Sequence, residues 1–179
     1  MPRLWAVCTL TSPDGSARQR LFDHVLDTWG APLRRLVASY EFRPAMRDEL
    51  YQEVLLALWR ALPKLRDQSG LRAYVFRIAH NRSVSHVAGE MRRADSDPIS
   101  EPPAHPGPDP HAMAEGEERR QRLANAVARL PLGQRQAVTL FLEGLSHAEV
   151  AEVLGISDNN VAVRINRARQ TLAKELSNE

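Results

Sequence analysis

Apolar residues recur along this chain at the three-and-four spacing that marks one face of a helix. The pattern predicts helices over 18–39, 46–63 and 70–93. In the first, Leu21, Phe22, Val25, Leu26 and Trp29 open the stripe, and Leu33, Leu36, Val37 and Tyr40 extend it. Gly30 and Pro32 fall between them, and the missing proline N–H predicts a break into two pieces there. The second helix carries Leu50, Val54 and Leu58 at strict four-residue spacing as its core stripe. Leu56 and Trp59 fall on the opposite side, beside Glu49, Gln52, Glu53 and Arg60. Spacing leaves two readings open, an outward apolar pair that docks another protein or a helix buried on both sides. The third helix follows a polar turn, Arg66-Asp67-Gln68-Ser69-Gly70, and sets Leu71, Val75, Ile78 and Ala79 inward. Around that stripe lie Tyr74, Phe76, Arg77, His80, Asn81 and Arg82, with His86, Arg92 and Arg93 further on. Cations interleaved with aromatics suit a strand whose bases are unstacked, although a charged helix face is more often simply solvated.

Near the C-terminus the pattern changes to two short helices around a tight turn. Ser146, with Glu149 three residues on, forms a capping-box signature ahead of Val150, Ala151, Val153 and Leu154. Gly155 suits the left-handed residue that ends such a helix, and Ser157 can cap the next. Val161, Ile165, Ala168 and Leu172 then recur at helical spacing. With those four inward, Asn159, Asn160, Ala162, Val163, Asn166 and Arg167 turn outward, and Arg164 lies on the flank. Amides that can pair with adenine and arginines that can pair with guanine or phosphate make this a helix-turn-helix facing duplex DNA.

Charge divides the chain. Residues 1–93 hold 15 Lys/Arg and 9 Asp/Glu, residues 94–118 hold none and 7, and residues 119–179 hold 9 and 6. Two basic blocks thus flank an acidic one. Six of the chain's twelve prolines lie in residues 94–110, a density that blocks helix and sheet alike and predicts a flexible linker. The expected architecture is all-α, two small helical domains joined by that linker. Its divisions are an N-terminal extension 1–19, a first domain 20–93, the acidic linker 94–118 and a helix-turn-helix domain 119–179. One cysteine, Cys8, allows no internal disulfide and fits a reducing compartment. The apolar run near the N-terminus is too short to span a membrane, so neither insertion nor a signal peptide is expected. No nucleophile elbow, phosphate-cradling glycine loop or paired cysteine ligands occur, and the six histidines lack zinc spacing. We therefore expect no catalytic residues, no metal and no cofactor.

Taken in order, these pieces resemble a known family. Glu49-Leu50-Tyr51-Gln52-Glu53-Val54, Leu58-Trp59 and Leu71-Arg72-Ala73-Tyr74-Val75-Phe76-Arg77-Ile78-Ala79-His80-Asn81 are similar to region 2 of bacterial sigma factors. Leu130-Pro131, Gln134-Arg135, Gly144-Leu145-Ser146, Glu149-Val150-Ala151, Leu154-Gly155-Ile156-Ser157 and the run from Val161 to Arg169 resemble region 4. With no region 3 between them, the resemblance is to the extracytoplasmic-function (ECF) group. It implies a cytoplasmic protein that binds core RNA polymerase and directs it to promoter DNA. By the same resemblance Glu49, Gln52, Glu53, Leu56 and Trp59 face the clamp helices of the large polymerase subunit. Arg66, Gln68, Ser69, Arg72, Tyr74, Arg77, Asn81 and Arg82 would melt and hold the −10 element. Asn159, Asn160, Val163, Arg164, Asn166 and Arg167 would read the −35 element as duplex. The resemblance further implies that an anti-sigma protein can hold such a factor inactive by clamping the two domains.

The chain departs from the family pattern at three places. The acidic pair before the Gln-Glu motif is Asp48-Glu49, and Tyr74 stands where tryptophan is frequent. The recognition helix reads Asn159-Asn160-Val161-Ala162-Val163-Arg164 where Gly-Thr-Val-Lys-Ser-Arg is usual, which predicts a shifted −35 preference. The competing reading is a helix-turn-helix regulator, of the LuxR type or a repressor, that binds duplex DNA without polymerase core.

Overall fold

The computed structural model describes residues 13–65, 68–96 and 115–177. Seven α-helices and two short 3-10 turns account for most of them, and no strand occurs among the described residues. The helices are α1 (Pro13–Ala38), α2 (Pro44–Ala61), α3 (Leu71–Ser96), α4 (Glu115–Arg129), α5 (Leu132–Leu142), α6 (His147–Leu154) and α7 (Asp158–Ser177). The architecture is all-α, with α1–α3 as one bundle and α4–α7 as a second. Residues 1–12, Cys8 included, and 97–114 lie outside the described residues, whereas 13–19 of the expected extension open α1, and 94–96 and 115–118 of the expected linker belong to α3 and α4.

In the first bundle α2 and α3 pack on each other, and α1 lies across both. Val25, Leu33, Leu36 and Val37 of α1, Leu50, Val54 and Leu58 of α2, and Val75, Phe76 and Ala79 of α3 are fully buried. The predicted break at Gly30 and Pro32 does not occur, and α1 runs through both. Proline in a helix interior costs roughly 3 kcal/mol. Four completely buried side chains, three of them C-terminal to Pro32, offset that cost. The Tyr51 hydroxyl also reaches the Gly30 carbonyl at 3.4 Å.

In the second bundle α5 is central. Its consecutive residues Arg135, Gln136, Ala137, Val138, Thr139 and Leu140 are all buried, so no face of that stretch meets solvent. Gly144 ends α5 at φ 84°, with the Gly144 N–H on the Phe141 carbonyl and the Leu145 N–H on the Leu140 carbonyl. That pair of bonds is a Schellman closure.

The two bundles are docked. α3 packs against α6 and α1 against α5, and one continuous apolar cluster runs from Val25 through Phe76 to Leu145, Val150 and Ile165. A second, smaller cluster of Ala126, Leu130, Val138, Ala168 and Leu172 seals α4 onto α5 and α7. No helix among the described residues is long and apolar enough to cross a membrane.

Candidate nucleic-acid interface

The helix-turn-helix forms as its spacing predicts. Ser146 caps α6 by accepting the Glu149 N–H, and the Glu149 carboxylate accepts the Ser146 N–H at 2.8 Å, so the capping box is closed. Gly155 takes the left-handed conformation at φ 65°, and the Ile156 N–H returns to the Ala151 carbonyl. Ser157 then caps α7, its hydroxyl accepting the Asn160 N–H at 3.3 Å. Val161, Ile165, Ala168 and Leu172 are buried, which leaves Asn159, Asn160, Val163, Asn166 and Arg167 exposed along one face. Arg164 is half-buried on the flank. Its Nε donates to Asn160 Oδ1 at 3.1 Å, and its guanidinium lies where a side chain at Gly133 would meet it at 3.2 Å. Asn160 therefore orients an arginine as well as presenting an amide.

On α3 the candidate strand-binding residues divide. Arg72 and Arg77 lie partly exposed, and Asn81 and Arg82 lie exposed further along. Tyr74 is half-buried, its hydroxyl donating to the Ala61 carbonyl at 3.2 Å and its ring 5.8 Å from the Arg77 guanidinium. Ser69 is exposed in the turn before the helix, whereas Arg66 and the Gln68 side chain lie outside the described residues. Phe76 and His80 do not belong to this face. Phe76 is wholly buried, and His80 bonds the Tyr40 hydroxyl inside the bundle. Burial holds the His80 imidazole below its usual pKa. The helical period alone did not separate them from the outward aromatics, because α3 is covered on two sides by α2 and α6.

The α2 face is also divided. Glu49 and Gln52 are exposed, and Leu56 is 55% exposed, a large apolar side chain open to solvent. Trp59 is not its outward companion. It meets Phe22 edge-on at 5.2 Å and lies under the Arg18 guanidinium at 4.1 Å, with the Trp59 carbonyl accepting from Arg18 at 2.7 Å. Glu53 pairs with Arg82 at 2.9 Å, so a candidate polymerase residue and a candidate −10 residue touch.

Sequence reasoning missed the acidic residues opposite the arginines. Glu149 forks onto Arg72 at 2.9 and 2.6 Å, Glu152 reaches Arg77 at 3.1 Å, and Glu143 forks onto Arg35 at 2.6 Å through both oxygens. The hydrogen bond from Arg72, aided by those from Ser146, outweighs partial burial and holds the Glu149 carboxyl down at about 2. The one available signal was Glu149 itself, but its capping role already accounted for it. At the end of α1, burial alone would raise the Glu41 carboxyl, yet hydrogen bonds from Arg43 and His86 bring it down to about 2. Arg43 also pairs with Glu90 at 2.6 Å and so ties the α1–α2 junction to α3. No group of three His, Cys, Asp or Glu side chains able to hold a metal occurs among the described residues.

Two family descriptions match the chain, "Sigma-70 region 2" over residues 25–93 and "Sigma-70, region 4" over residues 120–172. The ECF RNA polymerase sigma-E factor of Escherichia coli (strain K12) is 30% identical over 164 residues, covering 86% of this chain and 85% of that one. The RNA polymerase sigma factor CnrH of Cupriavidus metallidurans is 27% identical over 174 residues, with 92% and 91% covered. CnrH solved with the cytosolic domain of CnrY superposes at a TM-score of 0.64 and 25% identity, over 93% of this chain and 94% of that one. The sigma factor RpoE of Bartonella quintana, solved with the anti-sigma factor NepR, shares the fold at a TM-score of 0.74 and 24% identity, over 89% and 98%.

Proposed function

The chain belongs to the sigma-70 family, in its ECF group, and from that membership we propose how its two bundles divide the work of transcription initiation. It is a sigma factor, which directs RNA polymerase to promoters. The observation that carries this is the ordered pair of region 2 and region 4 matches, the second ending in a capped helix with an exposed amide and arginine face. We assign the −35 duplex to Asn159, Asn160, Val163, Arg164, Asn166 and Arg167. Asn can bond adenine and Arg guanine across a major groove wide enough for α7. The −10 element goes to Ser69, Arg72, Tyr74, Arg77, Asn81 and Arg82, together with Arg66 and Gln68. Extruding a base costs roughly a few kcal/mol, which phosphate contacts and a stacking ring offset. The clamp helices of polymerase fall to Glu49, Gln52, Glu53 and Leu56, an acidic rim around one exposed leucine. Trp59 supports this surface from behind, by packing against α1.

On this reading the protein acts in the cytoplasm as a binding subunit without catalysis of its own. Its likeness to CnrH, solved with the cytosolic domain of CnrY, supports an anti-sigma partner for this chain too. The deciding experiment is run-off transcription with purified core polymerase on genomic promoter fragments. Core-dependent initiation at defined start sites is expected. Tight, specific duplex binding by the chain alone, with no initiation on any fragment, would instead establish a regulator that works without core.

A further inference from the structure

Arg35, Arg43, Arg72, Arg77, Arg82 and Arg93 each reach a carboxylate, although every one of those side chains is more than a third exposed. Arg135 of α5 is the one buried arginine among the described residues, at 9% exposure, and none of their carboxylates pairs with it. Its Nη1 donates to the Ala128 carbonyl in the last turn of α4, and its guanidinium lies 4.8 Å from the Phe42 ring. A helix C-terminus and a ring face supply only partial negative charge. The Arg135 Nε is buried and has no acceptor. Burial also pulls the guanidinium pKa below its ordinary value, as expected of a cation that its surroundings do not neutralise. Buried donors are nearly always bonded and buried charges paired, so this side chain marks a place that a ligand anion would complete.

Arg135 lines a cleft of about 870 Å³ between α1, α4 and α5, within the size range of small-molecule sites. Leu123 and Val127 of α4 and Leu142 of α5 give it apolar walls, and Thr139, buried one turn along α5 from Arg135, lines it too. Arg35 and Glu143 also stand at the cleft, but each is forked onto the other at 2.6 Å. Arg135 is thus the one lining charge left without an opposite.

We propose that this cleft binds a small amphiphile with a single carboxylate head, the head taking the Arg135 Nε–H and the Thr139 hydroxyl and the apolar body lying along Leu123, Val127 and Leu142. One unmatched charge calls for a monoanion, and a planar carboxylate fits the edge of a guanidinium. The body would cover Leu123 and Leu142, which are 37% and 58% exposed.

The test is calorimetric titration of the full chain with decanoate, held below its micelle concentration. Decanol, which lacks the charge, and acetate, which lacks the tail, are the comparison probes. We expect saturable one-to-one binding of decanoate, with decanol and acetate each weaker by roughly tenfold or more. Decanoate should also raise the melting temperature of the chain. Two variants locate the site. R135M removes the cation and keeps an apolar side chain, and A124W fills the cleft from an exposed position on α4 while leaving Arg135 in place. Each should weaken decanoate binding by roughly tenfold or more. Should R135M not fold, A124W decides alone. Undiminished binding by A124W would overturn the proposal, and so would decanol binding as tightly as decanoate, which is apolar partitioning. No saturable binding by the parent would overturn it as well and leave the cleft to a protein segment. Neither polymerase nor DNA enters the titration, so its outcome is independent of the promoter assignments.

Discussion

On the proposed assignment Asn160 has two roles, and its neighbour Asn159 one. The Asn160 amide holds Arg164 at 3.1 Å, so replacing it changes the aim of an arginine as well as removing a base-pairing amide. The N159G/N160T variant should therefore shift −35 preference at two or more positions, by about 1–3 kcal/mol at each base pair affected. Transcription from a randomised −35 library would read this, and an unchanged preference would refute the role given to these residues. A second residue-scale effect concerns acid. Glu41 titrates at about 2 in the folded chain and near 4.5 unfolded, so the unfolded state binds the extra proton between those values. Its stabilisation is complete above pH 4.5 and is lost as pH falls towards 2. The groups facing it are Arg43 and His86, with Glu90 sharing Arg43. The depressed His80 imidazole adds a loss that begins earlier, below about pH 6.5, because protonation favours the unfolded chain. Urea titrations across pH should show E41Q losing on the order of 2 kcal/mol at pH 6 and little at pH 2.5, flattening the acid limb.

At the scale of elements, stability is concentrated in turns whose chemistry is readable from sequence. Gly155 at φ 65° meets no obstacle to an added Cβ, so G155A tests backbone strain alone. It should cost about 1 kcal/mol, and S146A should cost about as much through the lost cap. The two lie at opposite ends of α6, and their denaturant midpoints should add. The caps and the buried stripe of α7 were legible because each rests on contacts within a few residues. Local rules failed where distant packing decided. Pro32 reads as a breaker, yet α1 passes through it because α2 and α3 bury its flank. Trp59 and Leu56 read as one outward pair, and Arg18, forty-one residues away, takes the tryptophan. Phe76 and His80 read as part of a polar face until two helices cover α3.

For the whole molecule, the sequence announced two basic blocks either side of an acidic stretch but carried no sign that they dock. The docked faces join an apolar cluster and carboxylates 75 and 77 residues from their arginines, spacings that no local period reports. The consequence is thermodynamic. Because one apolar cluster spans α1–α3 and α5–α7, neither bundle can unfold without exposing surface on the other. Interfaces of this kind within a chain are modest, however, and resemble transient contacts between proteins. Three partly exposed ion pairs rim that apolar contact and add to it. At low salt the parent chain should melt in a single transition, with a ratio of calorimetric to van't Hoff enthalpy of about one. In E143Q/E149Q/E152Q, or in the parent at salt high enough to screen the pairs, the ratio should rise towards about two as the bundles melt separately. Scanning calorimetry of both proteins at two salt concentrations measures this directly. A ratio that stays at one in every condition would mean that apolar packing alone couples the bundles, and would leave these three ion pairs no part in holding them together.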